Sequence, residues 1–167
     1  MSMKKNYVVE TIRRAQMVEM LSRGQRADGR ALDQPRPLSI EVGLIQKANG
    51  SARVRLGNTD VIAGVKIATG TPFPDTPDKG LLVVNAELLP LASPYAEPGP
   101  PSEEAIELAR VVDRGIRESE MVDLTKLCLI EGKSVVTVFV DCNVMNVDGN
   151  LFDATSYAVV AALRTAK

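Results

Sequence analysis

The sequence predicts an α+β domain with a mostly antiparallel sheet and helices packed on one side of it. Apolar residues follow a helical period near the N-terminus and then a period of two in LSIEVGLI and SARVRLG. Two later helical segments flank a long β-branched run, which gives the order helix, four strands, helix, strand, helix. The length of 167 residues, 45% of them hydrophobic, suits one domain with a core of Val, Leu, Ile and Ala.

The N-terminal half begins with a predicted helix over about residues 8–23, because apolar residues recur there at helical spacing before Gly24. Loop sequences rich in Gly and Pro follow it. Alternation then predicts a strand over 38–45, and the dipeptide Asn49-Gly50 is typical of a hairpin. DVIAGVKIAT predicts a further strand, and the apolar run LLVVNAELLPL predicts a buried one.

Between the hairpin signal and DVIAGVKIAT, the segment SARVRLG alternates. It places Ala52, Val54 and Leu56 on one face of a strand and Arg53 and Arg55 on the other. These two arginines therefore belong to the polar face of the predicted sheet.

The second helix is predicted to begin after an N-cap at Ser102 and to end near Ser119, since two glutamates open it at the positive end of the helix dipole. The residues expected to face the core are Ala105, Ala109, Val112 and Ile116. SVVTVFVDCNVMNV then predicts a long strand, DGN a turn, and ATSYAVVAALRTA a final helix.

The composition excludes a histone-like basic coat, because 20 Lys and Arg meet 21 Asp and Glu. The sequence has no histidine, and Cys128 and Cys142 lack metal-site spacing, so we expect no metal. Two unpaired thiols suit a reducing compartment. Without a signal-like segment or an 18-residue apolar run, we expect a cytoplasmic protein with no membrane contact.

A local row of positive charge stands out in the second helix. Arg110, Arg114 and Arg117 fall at i, i+4 and i+7, so they project from one face. They can form surface ion pairs with Glu107 and Asp113, or they can bind phosphates, because each guanidinium presents a fixed fork of donors. The spacing leaves both interpretations open.

Several stretches together resemble the RNase PH family and cover nearly the whole chain. They are RADGR, GSARVRLGNTDVIAGVK, TPDKGLLVVNAELLPLA, EPGPPSEEAIELARVVDRGIRES, DLTKLCLIEGKSV and DGNLFDATSYA. Within the family, the EPGPP block resembles the non-catalytic RNase PH-like subunit of the archaeal exosome ring. The resemblance implies a ribosomal protein S5 domain 2-like fold, with residues 1–167 as one RNase PH-like domain and a second, similar half missing from this sequence.

The resemblance also implies a function. The subunit would alternate with a catalytic RNase PH-like sister in a trimer of heterodimers that degrades RNA from 3′ to 5′, with RNA-binding cap proteins as further partners. Arg110 and Arg114 would line the RNA path. For Arg117, Arg53 and Arg55 two interpretations stay open: contact with RNA or a neighbouring subunit, or a place on the plain surface, where Arg117 would form an ion pair.

The phosphate site of active family members is expected to be degenerate here. Those members place Gly, then Ser or Thr, then Arg after an Asp-Gly turn, where they hold the attacking anion. In this sequence the turn continues as Asn150, Leu151, Phe152 and Asp153. A carboxylate there would repel phosphate. We therefore expect no catalytic residue and no cofactor in this chain, with inorganic phosphate used by the sister subunit.

Two other functions remain alternatives. A self-sufficient RNase PH-like phosphorolytic exoribonuclease would need the phosphate site that the replacements remove. A ribosome-associated S5-like module would be expected to carry a basic surface, whereas the net charge is −1.

Overall fold

The computed structural model describes residues 7–167 and divides into two compact units, one up to Pro37 and one from Leu38 to Lys167. The first unit contains helix α1, Tyr7–Ser22, which confirms the predicted helix to within one residue at each end. In the loop after α1, the Arg30 Nε donates to Asp28 Oδ2 at 2.7 Å. This hydrogen bond lowers the pKa of Asp28 and holds the loop in a turn.

The second unit contains six strands and two helices. The strands are β1 (Leu38–Val42), β2 (Gly50–Leu56), β3 (Thr59–Gly70), β4 (Leu81–Leu88), β5 (Cys128–Ile130) and β6 (Ser134–Asn146); the helices are α2 (Glu103–Glu118) and α3 (Leu151–Thr165). The sheet order is β1-β2-β3-β6-β4, and β5 adds a short pairing to β6. Only β4 and β6 are parallel, so the predicted α+β class with a mostly antiparallel sheet is confirmed.

Both helices of this unit cover the same face of the sheet, as the sequence predicts. α3 packs over β2 and β3, and α2 packs over β4. Val54, Ala63 and Val140 on this face have no exposed area and join one apolar cluster with residues of both helices. Small residues on α3, including Ala158 and Ala162, let the helix approach the sheet closely. The opposite, polar face carries Arg53 and Arg55, as their alternation predicts.

The predicted hairpin joins β1 and β2, but Asn49-Gly50 is not its tight turn. Gly50 is the first residue of β2, and a Cβ at this position would lie 2.2 Å from the Ala162 carbonyl oxygen. The glycine is therefore required by the close approach of α3. The two-residue turn of the sheet is Gly57-Asn58, between β2 and β3, where Gly57 has φ of 63°.

Two predictions about burial are wrong. Strand β4 is not fully buried: only Leu82 and Ala86 are, because β4 is an edge strand that pairs with β6 alone. On α2, Leu108 rather than Ala109 occupies the buried stripe, since Leu108 lies three residues from Ala105 and four from Val112. Ala109 is only partly buried and packs against the buried apolar cluster.

Candidate functional site

Helix α2 is capped at its N-terminus and packs along its inner face. The Ala105 N–H donates to the Ser102 side chain at 3.2 Å, which caps the helix as predicted. Leu108, Val112 and Ile116 are buried against the sheet side of the unit. Most of the remaining residues of α2 form an exposed outer face, whereas Ala109 and Asp113 are half-buried.

Arg110 and Arg114 lie one helical turn apart on this outer face. They line a depression together with residues from α2 only, namely Glu103, Ile106, Glu107 and Val111. Within residues 7–167, neither guanidinium forms an ion pair or a side-chain hydrogen bond, so the Glu107–Arg110 pair that the spacing allows is absent. The two acids occupy the N-terminal half of the depression, which leaves the positive charge concentrated around the turn from 110 to 114.

Arg117 has different surroundings from the other two arginines of the row. Its Nε donates to Asp113 Oδ2 at 3.0 Å, and its Nη2 donates to Asp113 Oδ1 at 2.8 Å. The same Nη2 also donates to the carbonyl oxygen of Leu82 in β4 at 3.0 Å. The hydrogen bond to Asp113 raises the pKa of Arg117. Arg117 is therefore paired in the structure, whereas Arg110 and Arg114 are not, although the spacing in the sequence groups all three.

Arg53 and Arg55 are engaged in ion pairs on the polar face of the sheet. Arg53 binds Asp60 through two nitrogens, at 2.9 Å from Nε to Oδ1 and 2.6 Å from Nη2 to Oδ2. Arg55 lies 3.4 Å from Asp60 and 3.7 Å from Glu41. The hydrogen bond from Arg53 is the main cause of the lowered pKa of Asp60. Two carboxylates thus compensate two guanidinium groups.

The turn before the predicted degenerate phosphate site is tied to the β2–β3 turn. Thr59 is fully buried, and its Oγ1 donates to the Gly149 carbonyl at 2.7 Å while accepting from the Asp148 N–H at 3.0 Å. Asn58 Nδ2 adds a bond to Asp148 Oδ2 at 3.1 Å. Thr59 is not among the site residues predicted from the sequence, although the Gly57-Asn58 turn before it is a hairpin signal.

The N-terminus of α3 is closed by the chain's own side chains. Asn150 adopts a left-handed conformation, with φ of 52°, and its Oδ1 accepts from the Asp153 N–H at 3.4 Å. In return, Asn150 Nδ2 donates to Asp153 Oδ2 at 2.8 Å. This reciprocal cap begins α3 at Leu151, three residues before the predicted segment. It also holds a carboxylate in the first turn, where helix N-termini commonly bind anions.

No other chemistry-bearing cluster is found in the part of the chain that the structure describes. From residue 7 onward, no group of three or more His, Cys, Asp or Glu is placed to hold a metal ion. Over the same residues, no helix has the length and apolarity needed to cross a membrane. Both cysteines are free, and burial raises the pKa of Cys142 to about 12.

Comparisons with known proteins match this arrangement over most of its length. The Exosome complex component Rrp42 of Methanocella arvoryzae is 54% identical over 160 residues, which is 96% of this chain and 62% of that protein. The protein of the same description from Thermococcus gammatolerans is also 54% identical, over 96% of this chain and 59% of its own length. The chain therefore spans less than two thirds of these curated relatives.

Structural comparison and family assignment agree with the sequence relatives. A chain from the Archaeoglobus fulgidus exosome with RNA bound to the active site has a TM-score of 0.90 and 53% identity, over 95% of this chain and 63% of that one. The RNase PH family, described as "3' exoribonuclease family, domain 1", matches residues 34–167. The chain thus belongs to the RNase PH family of 3′ exoribonucleases and carries its domain 1.

Proposed function

We propose that the chain is part of a non-catalytic subunit of an exosome ring, in which it binds RNA that a catalytic RNase PH-like sister subunit degrades. The similarity to Rrp42 proteins and to an exosome with bound RNA supports this assignment. The observation that carries it is the Arg110–Arg114 pair, which is exposed and uncompensated within the described residues. The sister would use inorganic phosphate, and RNA-binding cap proteins would complete the assembly.

Two adjacent guanidinium groups suit a passing RNA strand. Each can place two N–H donors on one phosphate, and the helix holds the two groups one turn apart. Contacts to phosphates carry no information about the base, so RNA of any sequence would be held in the same way. This property fits a subunit that guides a substrate toward another subunit's active site.

The closed N-terminus of α3 supports the non-catalytic part of the proposal. The Asp153 carboxylate stands where an attacking phosphate would need the helix dipole and a cation, and no Lys or Arg occurs between Asn146 and Arg164. The alternative, a self-sufficient phosphorolytic exoribonuclease, would need another anion site.

A phosphorolysis assay distinguishes these two functions. We expect the chain, prepared without the catalytic sister, to release no nucleoside diphosphates from RNA in the presence of inorganic phosphate. The ring that contains the sister serves as the positive control. Phosphate-dependent release by the chain alone, from a preparation shown by mass spectrometry to lack the sister, would establish the alternative.

Charge reversal tests the RNA-binding part of the proposal. In the ring reconstituted with the catalytic subunit, Arg110→Glu with Arg114→Glu should weaken binding of single-stranded RNA about tenfold or more at 0.1 M salt. The charge-matched control is Lys66→Glu with Arg164→Glu, which changes two exposed cations outside the α2 depression. Equal affinities for both double variants, with both rings intact by size-exclusion chromatography, would contradict the proposal.

A further inference from the structure

We infer that Arg117 is a positioning residue: it fixes the rotation of α2 against β4 so that Arg110 and Arg114 face the RNA, and it does not bind RNA itself. This inference rests on the proposed function of the Arg110–Arg114 pair. It assigns the third arginine of the row a role that its spacing along the helix does not indicate.

The bonds of Arg117 connect two elements that are distant in sequence. Its guanidinium binds both oxygens of Asp113 within α2 and, through Nη2, the backbone oxygen of Leu82 in β4. A carbonyl oxygen of a strand cannot move without the strand, so the bond ties the last turn of α2 to the sheet. Asp113 in turn fixes the guanidinium plane by a bidentate contact.

The rest of the interface between α2 and the sheet lacks such a directional contact among the bonds of the described residues. The inner stripe consists of Ala105, Leu108, Val112 and Ile116. Apolar burial is non-directional, so it favours contact but tolerates a small rotation or sliding of the helix. Such a rotation would swing the ends of Arg110 and Arg114, which are long side chains on the outer face. A single fixed bond near Arg114 therefore has a large influence on where both guanidinium groups point.

The charges around Arg117 also favour positioning over RNA contact. Asp113 compensates Arg117, and the Arg117 side chain is 41% exposed against 24% for Asp113. Asp113 accepts from both Nε and Nη2 of Arg117, so a phosphate that approached the remaining nitrogen, Nη1, would also meet a carboxylate. The pair therefore adds no net charge to the α2 depression.

This compensation allows a test in which electrostatics and positioning predict opposite results. Asp113→Ala removes a negative charge close to the RNA face, so electrostatics alone predicts tighter RNA binding. If Arg117 is a positioning residue, the loss of its bidentate partner should weaken binding instead. The double variant Arg117→Ala with Asp113→Ala leaves the net charge unchanged, so any loss of affinity cannot come from long-range charge.

The experiment uses the ring reconstituted with the catalytic subunit, and RNA affinity is measured at several salt concentrations. We expect the charge-neutral double variant to bind single-stranded RNA about threefold to tenfold more weakly, with the salt slope unchanged because both phosphate contacts still form once α2 is reordered. Arg117→Lys should recover part of the loss, since an ammonium can bind Leu82 or Asp113 but cannot reproduce the fork. Unchanged affinity of the double variant, or tighter binding by Asp113→Ala, would overturn the inference.

A second readout keeps this test independent of the proposed function. Amide hydrogen exchange over residues 110–118, in the ring without RNA, should accelerate in the double variant; unchanged exchange would overturn the positioning role. If Arg110→Glu with Arg114→Glu loses RNA affinity and the Arg117 variants do not, only the inference fails. If the Arg110 and Arg114 variant binds normally, the proposed function fails, whereas the exchange rates still decide whether Arg117 holds α2.

Discussion

The Arg53–Arg55 pair on the sheet and the Arg110–Arg114 pair on α2 have the same composition but different surroundings. Both sheet arginines contact the Asp60 carboxylate, at 2.6 Å from Arg53 and 3.4 Å from Arg55. Neither helix arginine contacts a carboxylate within the described residues. Of these two arginine pairs, only the one on α2 presents uncompensated positive charge to a partner, although the protein as a whole is nearly neutral.

The difference arises from the secondary structure that carries each pair. In the antiparallel hairpin, Arg55 lies directly opposite Asp60, and Arg53 lies opposite Glu41. Arg55 pairs with the facing Asp60, whereas Arg53 reaches the same carboxylate diagonally. Both arrangements bring opposite charges together across strands. On α2, Glu107 and Asp113 lie three residues from Arg110, but Asp113 binds Arg117 instead, and Glu107, within the described residues, forms no ion pair with Arg110.

Removing Asp60 should make the charge compensation of the Arg53–Arg55 pair more like that of the Arg110–Arg114 pair. We expect this substitution to have the largest effect of those that test the comparison. Asp60→Ala leaves the Arg53 guanidinium without its acceptor and the exposed Arg55 with Glu41 alone, so we expect a lower free energy of unfolding, by more than the loss of an exposed partner costs. We also expect the variant to bind RNA more tightly than wild type at low salt, because only Glu41 then remains to compensate the two arginines. Urea denaturation and RNA titration measure the two effects.

Glu41→Ala is the matched control for this prediction, since its carboxylate is 3.7 Å from Arg55 and exposed. Its loss should cost well under 1 kcal/mol. Equal destabilisation by the two substitutions would contradict the special role of Asp60.

The Arg53–Asp60 ion pair should also make the free energy of unfolding depend on pH, with a smaller effect. The folded-state pKa of Asp60 is lowered by Arg53, so the ion pair contributes stability above the unfolded-state pKa of about 4. That contribution is lost as the pH falls from about 4 through the lowered pKa. The difference in unfolding free energy between wild type and Asp60→Asn should therefore shrink with acidification. A difference that stays constant from pH 6 to pH 2.5 would contradict this cause.

The sequence predicts most of the fold because each element has a clear hydrophobic period. It does not predict that β4 lies at an edge, since a run such as LLVVNAELLPL looks the same whether a strand has one neighbour or two. The sequence also leaves open whether Leu108 or Ala109 belongs to the buried stripe of α2, because both residues lie near the buried side of the helix.

The candidate site is predictable only where its contacts are local. The Arg55–Asp60 pair follows from the Gly57-Asn58 turn, once that turn fixes the register. The bond from Arg117 to Leu82 joins residues that are 35 positions apart, so no local pattern indicates it. The reciprocal cap joins Asn150 and Asp153, which are only three residues apart. The sequence indicates that these residues replace the family's phosphate-binding motif, but it does not indicate that they cap α3.

The salt dependence of RNA binding tests the central claim most directly, because it counts the phosphate contacts of each arginine pair. In the reconstituted ring, Arg110→Gln with Arg114→Gln should reduce the slope of log affinity against log salt by about 1.4, which is two contacts to single-stranded RNA. Arg53→Gln with Arg55→Gln should leave the slope at its wild-type value. Equal slopes for wild type and the α2 variant, or a reduced slope only for the sheet variant, would contradict the account.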